Sequence, residues 1–424
     1  MGNNADNRRA ILLLLTANSI SGVAQGISML AIPWYFAHIT HEEGLFTAIY
    51  FIVTAISLVW GVYAGTLVDR YNRKHIFLWM NAVGLAILGS ISALGYSWDG
   101  LPWWAVGMVF ATTVFVYNIH FPSVYAFAQE ITPKAQYARV TSQLEVQGQI
   151  TWTISGGAAA LLLNGVDGTV NLLGWNVAVP WHFRPWGIHE IFTIDALTYL
   201  IAFIMIWRID AIAQTEKQVD LDPLWNRIIT GFDYLKERLV LFLFGNASLM
   251  VFTTIIIHST MVNPMYVEKY LHSGGDIYAM ADMVFSMGAL LAGLYTAKWI
   301  SEKHSIKAII LFSALAAVMY FVHVSNTILW LYFVTYFVIG ICNAGIRILR
   351  VTYIFHHIPN HIIGRAGSVF SVINVSSRLM LTGLFALPLF HQGQNIVYAN
   401  AVLGGVCLIG ALSILAVRRD LEKG

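Results

Sequence analysis

Charge is what this sequence has least of. Only 11% of its 424 residues are Asp, Glu, Lys or Arg, where soluble domains carry roughly a quarter, so water is excluded as the solvent of the fold. Cysteine is nearly missing too. The two present, Cys342 and Cys407, both fall inside apolar runs, which rules out an extracellular disulfide framework. No Gly-x-x-x-x-Gly-Lys-Ser/Thr stretch occurs, which argues against ATP-driven work by this chain. No convergent set of nucleophile, base and anion-stabilising groups stands above background, so an enzyme is not expected. His356, His357 and His361 are close in sequence, but Pro359 interrupts the helical i, i+4 presentation that a zinc site uses. No metal is expected there, and no cofactor is implied.

Apolar sequence is what the chain does have, at 58% of its residues. Runs of about twenty residues, the length that crosses a hydrocarbon core, recur from one end to the other. Spans are predicted near 10–38, 45–68, 75–96, 104–129, 138–163, 190–208, 239–266, 277–299, 306–323, 328–352, 365–390 and 395–417. The fold class is therefore an all-α membrane protein of about twelve transmembrane helices. The first run is too long for a signal-peptide core and is expected to stay attached. With both termini cytoplasmic, that side collects twenty Lys and Arg residues, the outside keeps Arg184 and Lys269, and Arg347 and Arg378 lie within spans. Such asymmetry sets orientation. The net charge of +2 then reflects topology and gives no reason to expect nucleic acid. Trp98, Trp103, Trp104, Trp175, Trp181 and Trp186 gather at the opposite, outer ends, as an interfacial aromatic belt does.

The most polar interior segment separates six spans from six. The expected division is a six-helix bundle over 1–210, a cytoplasmic hinge over 211–238 and a second bundle over 239–424. In the hinge, Leu224, Ile228, Phe232 and Leu235 recur at helical spacing, which predicts a helix lying on the membrane surface. The connection 164–189 is expected to be an ordered outer loop. A repeat supports two like halves: Asn18 answers Asn246 and Gly65 answers Gly293, each shifted by 228, while Pro133 and Arg139 answer Pro359 and Arg365, each shifted by 226.

The strongest local signal is Gly65-Thr66-Leu67-Val68-Asp69-Arg70-Tyr71-Asn72-Arg73-Lys74. It resembles the cytoplasmic signature of the major facilitator superfamily, Gly-x-Leu-Ala-Asp-Arg-x-Gly-Arg-Lys. Pro122 with Pro133 and Arg139, Ile194 to Leu200, Gly231 to Leu235 and Gly364-Arg365 are similar to the drug:proton antiporter branch that includes macrolide-efflux and enterobactin-exporter proteins. The resemblance implies two pseudo-symmetric halves of six helices each, the major facilitator fold, in the cell inner membrane. It also implies a conformational latch at Gly65, Asp69, Arg70, Arg73 and Lys74. Asn72 stands where the signature has glycine and is expected to tolerate the same left-handed turn. No Gly-Pro pair follows in the fifth span, where Gly156-Gly157 stands instead, and the fourth span lacks an intramembrane arginine.

Polar groups inside the spans are few, and each asks for a partner or a purpose. Arg378 cannot shed its charge, so it requires water, an acidic partner or an anionic ligand group. Glu145 and Asp195 are candidate proton carriers. For Glu145 the competing reading is a solvated residue near the cytoplasmic mouth, and for Asp195 a bond between helix ends. Asp282 is expected to be hydrated near the outer surface. Asn18, Gln25, Asn118, His120, Gln149, Trp152, His258 and Asn374, with Arg378, are candidate substrate-binding residues. Helix-to-helix hydrogen bonding is the alternative for each Asn or Gln.

The expected activity is export of a small amphipathic molecule by alternating access, coupled to protons, from a monomer in the lipid bilayer. A siderophore exporter or a lysophospholipid flippase is the rival within transport. A non-transporting membrane sensor is the rival outside it.

Overall fold

The computed structural model describes residues 2–98, 100–132, 137–172, 175–209, 224–300 and 304–422. The chain is an all-α membrane protein, apart from one hairpin among the described residues. Lipid offers no hydrogen bonds, so each span must satisfy its backbone internally, and the helix does this. Helices run α1 Gly2–Trp34, α2 Glu43–Arg70, α3 Arg73–Ser97, α4 Trp103–Glu130, α5 Tyr137–Asn164 and α6 Ile188–Trp207. After the amphipathic helix α7, Leu224–Lys236, come α8 Leu239–Ala247, α9 Met250–Ile257 and α10 Asn263–Lys269. The chain continues with α11 Gly275–Trp299, α12 Ser305–Val322, α13 Leu329–His357, α14 Asn360–Phe385, α15 Ile396–Ala416 and the short α16 Arg418–Leu421. Among the described residues, 11 helical segments are long and apolar enough to cross a membrane, and α8, α9 and α10 make up one of them, Leu239–Lys269. Helix α5 has the length, at 28 residues, but is too polar to count by composition.

Two spans are interrupted by wide π turns. Tyr35–Ile39 follows Pro33 at the end of α1, and His258–Val262 precedes Pro264 between α9 and α10. Each turn lies next to a proline, whose missing N–H upsets the regular ladder.

The chain divides into two compact units. Unit 1 comprises Met1–Thr40, Ala55–Thr169 and Val179–Leu221; unit 2 comprises His41–Thr54, Val170–Ala178 and Asp222–Gly424. The start of α2 thus belongs to unit 2 and the remainder to unit 1. In unit 1, Leu14, Phe77, Ile119, Phe127 and Ile206 build a buried core. In unit 2, Tyr266, Tyr278, Tyr320 and Tyr332 are fully buried. Large apolar side chains such as Trp79, Leu311, Trp330 and Met380 stay exposed on helix faces, as contact with lipid tails permits. Helix α7 has its apolar residues on one face, with Leu235 fully buried, and packs on α14; a Cβ at Gly231 would overlap the Arg365 carbonyl.

The loop 164–189 is a β-hairpin, Val166–Leu172 paired with Trp175–Phe183. Gly165 and Gly168 supply positive φ at its base, +71° and +68°. Arg184 grips Glu190 through two bonds of 2.9 and 2.8 Å, and the same carboxylate accepts the Gly187 N–H at 2.7 Å, capping α6.

Candidate functional site

Asn72 corrects one expectation of the signature loop. Its φ is −62°, an extended rather than a left-handed geometry, and its side-chain oxygen accepts from the N–H groups of Lys74 and His75 at 2.9 and 3.4 Å. Asparagine serves here as the N-cap of α3, a role glycine fills without a side chain. Gly65, Asp69 and Arg70 lie on α2, but their side chains lie outside the described residues, as does that of Glu145 on α5. Arg73 donates to Glu130 at 2.7 Å and to the Ala126 carbonyl at 3.0 Å, and Lys74 donates to the Ile209 carbonyl at 2.6 Å. Both basic residues thus satisfy exposed carbonyl ends of α4 and α6 inside unit 1.

Within unit 1, α1 and α4 bring Asn18 and His120 together: the imidazole Nε2 and the amide oxygen are 2.7 Å apart. The Phe77 ring meets the imidazole edge-on, and a void of about 10 Å³ remains beside the pair, room for about one water. Asn18 and His120 are bonded to each other, which fits the interhelical reading for both.

A larger groove of about 480 Å³ opens between α1 and α5, lined by Ser19, Val23, Gln143, Gln147, Ile150 and Thr151. Gly22 and Gly26 on α1 face Thr151 and Ser155 with no space for a Cβ, which sets the close approach of the two helices. The wall is mainly apolar. Both polar atoms of the Gln147 amide are buried without a hydrogen-bond partner, which is the condition of a group awaiting a ligand or water. Gln149 and Trp152, the sequence-based candidates on α5, do not line this groove; Gln143 and Gln147 do. Their i, i+4 spacing together with Thr151 was the signal available for that face. Gln25 and Asn118 are half-buried on α1 and α4.

Asp195 on α6 is fully buried in unit 1. Ser28 donates to one carboxylate oxygen at 2.7 Å, and the other has no partner. Burial penalises its charged form, and proton uptake removes that penalty.

In unit 2, Asn374 of α14 donates to Thr253 of α9 at 2.6 Å, and His258 meets the Tyr336 hydroxyl at 2.9 Å. Arg378 of α14 is half-buried, its Nε is buried and unpartnered, and it forms no ion pair among the described residues. Asp282 overturns its expected hydration: it is 8% exposed, with Ser259 Oγ at 3.3 Å.

A family profile described as Major Facilitator Superfamily matches residues 14–382. Macrolide efflux protein A of Streptococcus pyogenes is 23% identical over 280 residues, 65% of this chain and 63% of that protein. The chain thus spans less than two thirds of that relative's length. The Enterococcus faecalis protein of the same name is 24% identical over 240 residues, 56% of this chain and 67% of its own. Among solved structures, the POT family transporter PepTSo superposes with a TM-score of 0.71 at 9% identity, covering 98% of each chain. The nucleoside transporter NupG gives 0.68 at 13% identity, over 97% of this chain and 99% of that one. Identities this low speak for the fold alone.

Proposed function

The chain belongs to the Major Facilitator Superfamily and is a multi-pass membrane transporter, and from that premise we propose that it exports small amphipathic molecules by alternating access, driven by protons. The groove between α1 and α5 carries this reading. Its volume and its apolar wall with a few placed amides suit a ligand that is mostly greasy with isolated polar atoms. The unsatisfied Gln147 is the polar anchor. The printed name of the macrolide-efflux relatives points the same way. Asp195, and Glu145 at the mouth of α5, carry the coupling proton; Asp69 and its basic neighbours form the latch. The transporter acts as a monomer in the inner membrane with both termini in the cytoplasm.

Purified protein in liposomes moves a macrolide or a lipophilic cationic dye when a pH gradient is imposed. Gln147→Leu raises the concentration for half-maximal transport and leaves the melting temperature unchanged, because the amide has no partner to lose. Transport that is indifferent to the gradient refutes proton coupling. An unaltered concentration dependence in Gln147→Leu refutes the groove.

One observation favours a second reading. An arginine with no acidic partner among the described residues suits an anionic or phosphate-bearing cargo, such as a siderophore or a lysolipid, at Arg378. Arg378→Glu then abolishes transport of anionic cargo while neutral cargo is still carried; equal loss of both assigns the residue to structure.

A further inference from the structure

The helices of unit 2 enclose a polar cluster around Asp282, a residue to which the export reading gives no role. Asp282, on α11, is reached by the Ser259 hydroxyl from the π turn. The backbone carbonyl of Ser259 accepts the Tyr278 hydroxyl at 3.3 Å, so the wide turn places a serine and a freed carbonyl beside one carboxyl and one phenol. Such turns recur at functional positions because they expose backbone groups that a regular helix hides.

Two histidines pack together in the same unit. His258 opens the π turn, and His323 ends α12; both are buried, their rings stacked with centroids 5.5 Å apart. Thr335 donates its hydroxyl proton to the Tyr332 carbonyl at 2.7 Å, so His323, whose Nε2 is 2.6 Å from that hydroxyl, must be the donor there. Its Nδ1 is then a bare lone pair, buried and without a partner. His258 shares Nδ1 with Tyr336, whose phenol lies in the electrostatic neighbourhood of Asp282.

The other titratable groups facing this cluster are all neutral by nature. They are Tyr278 of α11, Tyr320 of α12, Tyr332 and Tyr336 of α13, Tyr266 of α10, Cys342 of α13 and Cys407 of α15. Asn400 of α15 lies beside His258. Lys269, at the end of α10, is held by Glu43 and by the His391 carbonyl. Among the described residues no cation pairs with Asp282. An isolated charge in such surroundings is costly, whereas one proton neutralises it.

Unit 1 also holds a buried carboxyl bonded to a serine. There Ser28 of its first helix donates to the buried Asp195, ahead of the π turn Tyr35–Ile39. Each unit therefore bonds one buried carboxyl to a serine hydroxyl.

We propose that Asp282 is a proton-binding site of unit 2, loaded and unloaded during transport. This inference rests on the proton-driven reading above for its role in transport, though not for the existence of the site.

Infrared difference spectra between acid and alkaline buffer test the site on the full chain in lipid, without reference to cargo. The wild type shows carbonyl bands of protonated carboxylic acids; Asp282→Asn removes one, Asp195→Asn another, and Asp282→Glu shifts the first. Flux tests the role. Asp282→Asn lowers gradient-driven export of a lipophilic cationic dye by about tenfold, the size of an ordinary coupling free energy, and keeps gradient-free dye exchange. Asp282→Glu restores the drive. A spectrum unchanged by Asp282→Asn overturns the site. A lost band with gradient-driven flux at the wild-type level overturns its role, and so does loss of exchange together with drive. Wild-type flux that ignores the gradient instead overturns the proton-driven reading and leaves the spectral assignment to be judged by itself.

Discussion

Lys269 Nζ lies 2.8 Å from Glu43 Oε1 and donates to the His391 carbonyl at 3.0 Å, which ties the start of α2 to the end of α10 and to the connection after α14. The Glu43 side chain is 8% exposed and that of Lys269 24%. The pair therefore sits between an exposed bridge, worth up to about 1 kcal/mol, and a buried one, whose breakage costs about 3–5 kcal/mol. Glu43→Gln is expected to destabilise by about 2 kcal/mol on this scale, read as earlier labelling of the buried Cys342 and Cys407 by a thiol-reactive fluorophore on heating. The double variant Glu43→Gln/Lys269→Met recovers part of that loss, because no unpaired charge remains.

The same cluster carries a pH dependence. Burial is the largest influence on His391 and holds its imidazole below the ordinary value of 6.5. In the unfolded chain the ring takes up a proton near that value, while in the fold it stays neutral further into acid. Its contribution is therefore complete above about 6.5 and is lost as pH falls through the lowered folded value. Melting temperature against pH should show an acid decline that His391→Gln makes shallower.

Gly288 and Gly340 face each other's helices reciprocally. A Cβ on Gly288 would overlap the Phe337 carbonyl, and one on Gly340 the Phe285 carbonyl. Small residues let two spans approach closely and gain dispersion contact in lipid. Either glycine changed to alanine is expected to lower stability by about 2 kcal/mol through overpacking of α11 against α13. Thermal unfolding measures it, and Gly89→Ala, where a Cβ meets open space, is the neutral control.

Gly165 combines a φ of +71° with a Cβ position already occupied by the backbone of Phe183, Arg184 and Pro185. Left-handed backbone alone costs an L-residue about 1–2 kcal/mol. Gly165→Ala should loosen the hairpin base while leaving the helices intact, seen as faster proteolysis within 166–183 at unchanged helical circular dichroism.

Asn18→Ala leaves His120 Nε2 without its partner and should cost about 1–3 kcal/mol, whereas Asn18→Leu with His120→Phe is nearly neutral. Retained dye transport in the double variant confirms that the pair joins helices; lost transport at full stability assigns it to the cargo path.

The spans were legible because lipid demands long apolar runs, and α7 was legible as a helix because Leu224, Ile228, Phe232 and Leu235 recur at helical spacing. The hairpin was not: Val166 to Phe183 is short, mixes Gly with aromatics, and reads as a loop until its two strands pair. Nor were the π turns, since Pro33 and Pro264 signal a disturbance without its form. Asn18 and His120 were each visible as intramembrane polar groups, but their bond joins positions 102 apart. Gln147 was passed over in favour of Gln149 because sequence alone does not orient α5. Nearby Gly274, Gly275 and Asp276 make Asp282 look hydrated in sequence; of the tyrosines around it Tyr278 is one helical turn away, but Tyr332 and Tyr336 come from α13.

The span Leu239–Lys269 pauses at Ser248–Leu249 and again at His258–Val262. At both places the regular i to i−4 ladder of backbone hydrogen bonds gives way to another pattern, so the span is three lengths of α-helix in series and not one continuous rod. Lys269 and its ion pair therefore stand on a separate, shorter stretch of helix than the one that starts the span at Leu239.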